Sequence, residues 1–115
     1  MTGLNDPTAV NQGTMKETKI VEMVLFELNE GVSQAEGKKA MQALSSFVTK
    51  SPGFLGRKTS IGEDGQFLDL VYWTDLASAK TASEKVMQDE SMIPHFAVIK
   101  QESMIFKHFE VFINE

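Results

Sequence analysis

FLGRKTSIGEDGQFLDLVYWT, residues 54–74, decides the fold. Two strand-like runs, Phe54 to Ile61 and Gln66 to Thr74, flank the tetrapeptide Gly62-Glu63-Asp64-Gly65. Asp-Gly is a strong turn signal, because Asp bonds nearby backbone and Gly accepts positive φ without a Cβ clash. The segment is therefore a β-hairpin. A helix must stop just before it, at Ser51-Pro52-Gly53, since Pro cannot continue a helix and Gly tolerates a left-handed cap. Another must start just after it, where Asp75 stands ready to cap the first free amides.

Working outward, Ala40, Met41, Leu44, Phe47 and Val48 recur at helical spacing behind Ser33 and Glu36, the two residues of a capping box. On the other side, Leu76, Ala79, Ala82, Val86 and Met87 mark the inner stripe of the second helix. Thr18 to Asn29 is a strand, with an almost unbroken run of apolar and β-branched residues. Met92 to Ile99 reads as a short, irregular helical segment interrupted by Pro94, and a last strand runs from about Ser103 to Ile113. The order is β-α-β-β-α-β, which is the split βαβ arrangement of an α+β, ferredoxin-like antiparallel sheet.

At 115 residues the chain suits one core and is too short for two. Residues 1–17, polar, with Pro7 and no apolar period, read as a poorly ordered tail, which leaves 18–115 as the domain. Net charge is −5 and the basic residues are scattered, so neither nucleic acid nor an anionic membrane surface is an expected partner. There is no cysteine, which excludes disulfides, thiolate metal sites and thiol nucleophiles. No apolar run is long enough to span a bilayer, and no basic-then-apolar start marks a signal peptide. A cytoplasmic location is the expectation.

Side chains alternate across a strand, so each parity class lies on one face of the sheet. One class holds Val21, Met23, Leu25, Leu68, Leu70, Tyr72, Ile105, Phe109, Val111 and Ile113. It is nearly all apolar and is expected to lie beneath the two helices. The other holds Glu22, Val24, Phe26, Leu28, Phe67, Asp69, Val71, Trp73, Met104, Phe106, His108, Glu110 and Phe112. That face is too rich in large apolar groups to stay wet, and burial against an identical sheet across a two-fold axis is the natural remedy. Two such sheets would enclose a chamber. Coverage by loops or the carboxyl-terminal segment is the alternative.

The run Ser51-Pro52-Gly53-Phe54-Leu55-Gly56 and the strand end Val71-Tyr72-Trp73 before an acidic cap resemble the antibiotic biosynthesis monooxygenase-like family. The resemblance spans about Thr18 to Phe112. It implies a dimeric α+β barrel, a homodimer through the open sheet face. It also implies an activity among cofactor-independent oxygenases of anthrones and quinols, haem-degrading oxygenases and isomerases. The haem-degrading branch is similar in its Trp at the end of the third strand, matched by Trp73. That branch also needs an axial His on the next helix, where this chain has Ser83, and a central Asn on strand one, where Asn29 comes only at the end. No cofactor and no metal are therefore expected.

The polar members of the mixed face are Glu22, Asp69, His108 and Glu110. Carboxylates in an apolar space lose hydration and repel each other, which raises at least one pKa and suits acid–base work on a phenolic or quinol substrate. Glu22, Asp69 and His108 are the candidate catalytic residues, His108 because its ordinary pKa lies near neutrality. Phe26, Phe67, Trp73, Phe106 and Glu110 are the candidates for holding a small aromatic molecule. The bland alternatives stay open. Glu22 and Asp69 can instead pair with Lys58 or Arg57 as satisfied buried charge, and His108 can be an interface histidine. A ligand-binding or stress-associated dimer without catalysis, or an isomerase or lyase, would use the same chamber.

Overall fold

The computed structural model describes residues 15–115. Most of the expected tail, residues 1–14, lies outside the described residues. Met15 to Glu17 form a turn closed by Thr18, whose amide and hydroxyl both donate to the Met15 carbonyl at 3.2 and 2.7 Å.

Four strands make one antiparallel sheet: β1 (Ile20–Phe26), β2 (Phe54–Ile61), β3 (Phe67–Trp73) and β4 (Ile105–Glu110). Their spatial order is β2-β3-β1-β4. Helix α1 (Gln34–Val48) connects β1 to β2, α2 (Leu76–Gln88) follows β3, and a four-residue α3 (Ile93–Phe96) and a 3₁₀ turn (Gln101–Ser103) lead into β4. This is the ferredoxin-like α+β arrangement.

The local signals behave as their chemistry dictates. Ser33 Oγ accepts from the Glu36 amide at 3.1 Å while Glu36 Oε1 accepts from the Ser33 amide at 3.1 Å, so both halves of the capping box are present. Asp75 Oδ1 accepts from the Ser78 amide at 2.7 Å. Both carboxyls are held below their usual range by the amides they accept. The hairpin closes with Gly65 at φ +85°, the left-handed conformation that its Asp-Gly pair forecasts. Pro94 stands in the first turn of α3 and starts it, where the sequence reading has it as an interruption. The last strand is shorter at both ends than its apolar pattern: Gln101–Ser103 coil into the 3₁₀ turn before it, and its ladder with β1 ends at the pair Ile20 and Glu110.

The assignment of the two faces is reversed. The helices lie on the face of Glu22, Phe26, Phe67, Asp69, Val71 and Trp73, and the face of Val21, Met23, Leu25, Leu68, Leu70 and Tyr72 is the open one. Parity says which residues share a face, but not which face the crossover helices will cover. The physical reason for the outcome lies in the helices. Their inward residues are mostly small, so the largest groups of the sheet can be buried beneath them. Phe26, Ala40, Met41, Leu44, Phe67 and Ile99 form one cluster, with Phe26 and Phe67 stacked at 5.3 Å. Ile20, Val71, Trp73, Ala79 and Ala82 form the other. Gly37 brings α1 close: a Cβ there would meet Leu28 and Phe67 side-chain carbons at 2.8–2.9 Å.

Three further expectations fall with the reversal. Tyr72 is on the open face, partly buried, near Gly56 and the Met15 side chain. On α2, only Ala79 and Ala82 are buried, while Leu76 and Met87 are exposed. Ile105 and Phe109, expected in the core, are 42% and 47% exposed on the open face.

Candidate active site

The strand register builds a polar band between the two apolar clusters. Arg57 stands opposite Val71, Val71 opposite Glu22, and Glu22 opposite His108. In the adjacent row, Thr59, Asp69, Val24 and Phe106 follow one another across the four strands. Every one of these side chains points toward the helices, by the alternation of the pleat.

Above the band lies a cavity of about 160 Å³. Its floor includes Glu22, Val24, Asp69, Val71 and Trp73. Its roof is Leu44, Phe47 and Val48 from α1 with Ala82, Ser83 and Val86 from α2. Met87, Met104, Phe106 and Gln101 stand around it as well, most of them well exposed, and mark its mouth.

Two charge pairs sit in or behind the floor. Glu22 Oε1 lies 3.0 Å from His108 Nε2. Burial pushes the Glu22 carboxyl above its usual range, and the Asp69 charge adds to this, while the bond and charge of His108 and the charge of Arg57 act the other way. The second pair is fully engaged. Arg57 donates from Nε to Asp69 Oδ1 at 2.9 Å and from Nη2 to Oδ2 at 3.0 Å, and Thr59 adds a bond to Oδ1 at 2.8 Å. Arg57 Nη1 reaches up to α1, donating to the Met41 carbonyl and to Ser45 Oγ, both at 2.9 Å. One guanidinium thus fastens β2, β3 and α1 together.

Trp73 is 1% exposed, and its Nε1–H is the one buried side-chain polar atom among the described residues with no partner. An unpaired buried donor costs free energy unless something supplies an acceptor. A ligand in the cavity that Trp73 lines could do so.

Of the sequence candidates, the structure brings Glu22, Asp69, Trp73 and Phe106 to the cavity, with His108 bonded behind Glu22. Phe26 and Phe67 lie in the apolar cluster beside it, and Phe67 lines a separate, open groove along β2. Glu110 is exposed, opposite Ile20, and away from the cavity. The sequence marks Arg57 only as a charge partner and, among the roof residues, only Ser83, as the place of the absent axial ligand. The signal for Arg57 is parity: Arg57, Asp69, Glu22 and His108 share one face, a charge-matched set that buried groups require.

No protein-family model matches the sequence, and no curated protein matches it either. Solved structures do match. SnoaB, a cofactor-independent oxygenase from Streptomyces nogalater, superposes with a TM-score of 0.60 over 85% of this chain and 95% of its own, at 15% identity. A presumptive antibiotic biosynthesis monooxygenase from Bordetella bronchiseptica gives 0.64 over 84% and 99%, at 11% identity. The chain has the fold of the antibiotic biosynthesis monooxygenase-like proteins. A MhuD point mutant with two manganese protoporphyrin IX molecules per active site shares this fold, at a TM-score of 0.62 over 84% of this chain and 97% of its own and 18% identity.

The residues present do not fit a porphyrin or a metal. The α2 residues that line the cavity are Ala82, Ser83, Val86 and Met87, no histidine lines it, and His108 Nε2 is already bonded to Glu22. Among the described residues no three His, Cys, Asp or Glu side chains gather as a metal site.

Proposed function

We propose that this protein is a cofactor-independent monooxygenase of a small phenolic or quinol-like compound, acting as a homodimer in the cytoplasm. The observation that carries the reading is the Glu22–His108 pair, a carboxyl of raised pKa at the floor of a mostly apolar cavity. A buried carboxylate whose pKa is raised is a stronger base than an exposed one, and its neighbour can share the proton it takes. The fold it shares with a cofactor-independent oxygenase supports the same reading.

In this reaction the substrate hydroxyl gives its proton to the Glu22–His108 pair. The electron-rich anion passes one electron to dioxygen, and the two radicals join to form a carbon–oxygen bond. The peroxide takes a proton and its O–O bond breaks as the ring C–H proton leaves. Phenol plus dioxygen becomes quinone plus water, with no external reductant. Trp73 Nε1–H is the donor suited to a ring oxygen, Phe106 stands at the mouth, and the apolar roof keeps water from the intermediates. Asp69 has a positioning role, holding Arg57 in place. The test is an oxygen electrode with hydroquinones under air, where one dioxygen is expected per substrate consumed. Saturable binding without oxygen uptake would leave a binding protein in place of an enzyme.

The homodimer reading rests on the open sheet face. Leu68, Leu70 and Tyr72 continue into Val21, Met23 and Leu25, then into the well-exposed Ile105 and Phe109. Lys58 and Lys107 flank Leu70 and Met23 at the middle row of this face, and the apolar patch between them marks an association surface that a second copy meets with equal character. Sedimentation should give twice the 12.8 kDa of one chain, and Leu70→Lys should give the monomer. A wild-type chain that stays monomeric at micromolar concentration would sink this part of the reading.

A further inference from the structure

We propose that the cavity admits a single six-membered ring and rejects two fused ones, with Leu44, Phe47 and Val86 as the wall that sets the limit. This rests on the oxygenase reading for its ligand chemistry and goes beyond it in naming the substrate class: monocyclic phenols and hydroquinones.

Volume comes first. The cavity holds about 160 Å³, whereas an apolar cavity of about 150 Å³ accommodates benzene, and pockets for larger ligands begin at roughly 300 Å³. One ring therefore fills the space between the Glu22 carboxyl and the roof. A second fused ring needs room that the roof helices occupy.

Rigidity comes second, because a soft wall would set no limit. Helix α1 is fastened to the sheet by Arg57, through the Met41 carbonyl and Ser45 Oγ on one side and Asp69 on the other. Lifting α1 would break a buried, charge-assisted network, which is costly. Helix α2 sits directly on the sheet through Ala79, fully buried, and Ala82, 7% exposed, in the cluster with Trp73. The network holds α1 down, and α2 is seated as close to the sheet as its alanines allow.

The mouth is the third observation. Met87 is 61% exposed, Phe106 41% and Met104 37%, and two of these are unbranched, adaptable thioethers. Flexible substituents on the one ring can turn out through the mouth, whereas a fused second ring is fixed in the plane of the first and cannot turn toward it.

The protein contains a single tryptophan, Trp73, and its unpartnered indole N–H lines the site, so its one indole proton resonance reports occupancy. Titration under nitrogen, which prevents turnover, would use methylhydroquinone, 1,4-naphthohydroquinone and anthrone. Methylhydroquinone is expected to shift the resonance saturably, with an affinity about tenfold or more above that of naphthohydroquinone, and anthrone to leave it unmoved. Val86→Ala, a mild change at a half-buried position, should raise naphthohydroquinone affinity by a similar factor without improving methylhydroquinone. Naphthohydroquinone binding as tightly as methylhydroquinone to the wild type would overturn the ring limit and leave the oxygenase reading standing. Failure of all three to shift the resonance would overturn both.

Discussion

Arg57→Met will lower the unfolding free energy by about 3–5 kcal/mol, the cost of removing one partner from a buried ion pair. The side chains of Arg57 and Asp69 are 8% and 11% exposed. Without the guanidinium, Asp69 keeps only the Thr59 hydroxyl as a donor. The Met41 carbonyl and Ser45 Oγ lose their cross-link to the sheet as well. Urea unfolding measures the loss directly. The double variant Arg57→Met, Asp69→Leu should recover most of it, because an apolar pair of similar volume removes the desolvation cost together with the attraction. If the single variant unfolds at the wild-type midpoint, this network holds nothing together, and the rigid roof goes with it.

Glu22→Gln will reduce turnover by about 10²- to 10⁴-fold, the usual contribution of a positioned base. Gln preserves size and a hydrogen bond to His108 but cannot accept a proton at working pH. The pH dependence sharpens the test. Burial holds the Glu22 carboxyl above its ordinary range. The acid limb of the wild-type kcat/KM profile should therefore lie above the titration of an exposed glutamate, and it should vanish from the variant.

Stability runs the other way. Folded Glu22 holds its proton more tightly than unfolded Glu22, so between the two pKa values the native state binds more protons. Its contribution is fully present below the unfolded pKa and is lost as pH rises through the folded one. At neutral pH the Gln variant escapes that loss. It should be at least as stable as the wild type while nearly inactive, the opposition expected where a group is kept for chemistry at the expense of the fold. An unchanged kcat would remove Glu22 from the mechanism.

Local chemistry made the elements legible. Ser33 with Glu36, Asp75, and the Asp64-Gly65 turn each act through a few neighbouring atoms, so their effect survives in the linear sequence. Parity sorted the strand residues correctly as well: Glu22, Asp69 and Trp73 do share a face. Choosing which face the helices cover was another matter. Ten apolar residues looked like the better core, yet the helices chose the face with Phe26, Phe67 and Trp73. The small residues Gly37, Ala40, Ala79 and Ala82 leave room for large partners, and Arg57 with Asp69 and Glu22 with His108 satisfy one another on the mixed face. Helix residues such as Phe47 and Val86 became site residues only when the roof was in place, since nothing local in a helix says what it will stand over.

Gly37 extends this to the depth of the chamber. Its missing methyl lets α1 settle against Leu28 and Phe67, neither of which lines the cavity. A larger residue there would act as a shim, displacing Leu28 and Phe67 and with them the seat of the helix that carries Leu44 and Phe47. Relatives of this chain could thus acquire bulkier substrates by changing a spacer that never meets them, with the reactive pair beneath left as it is.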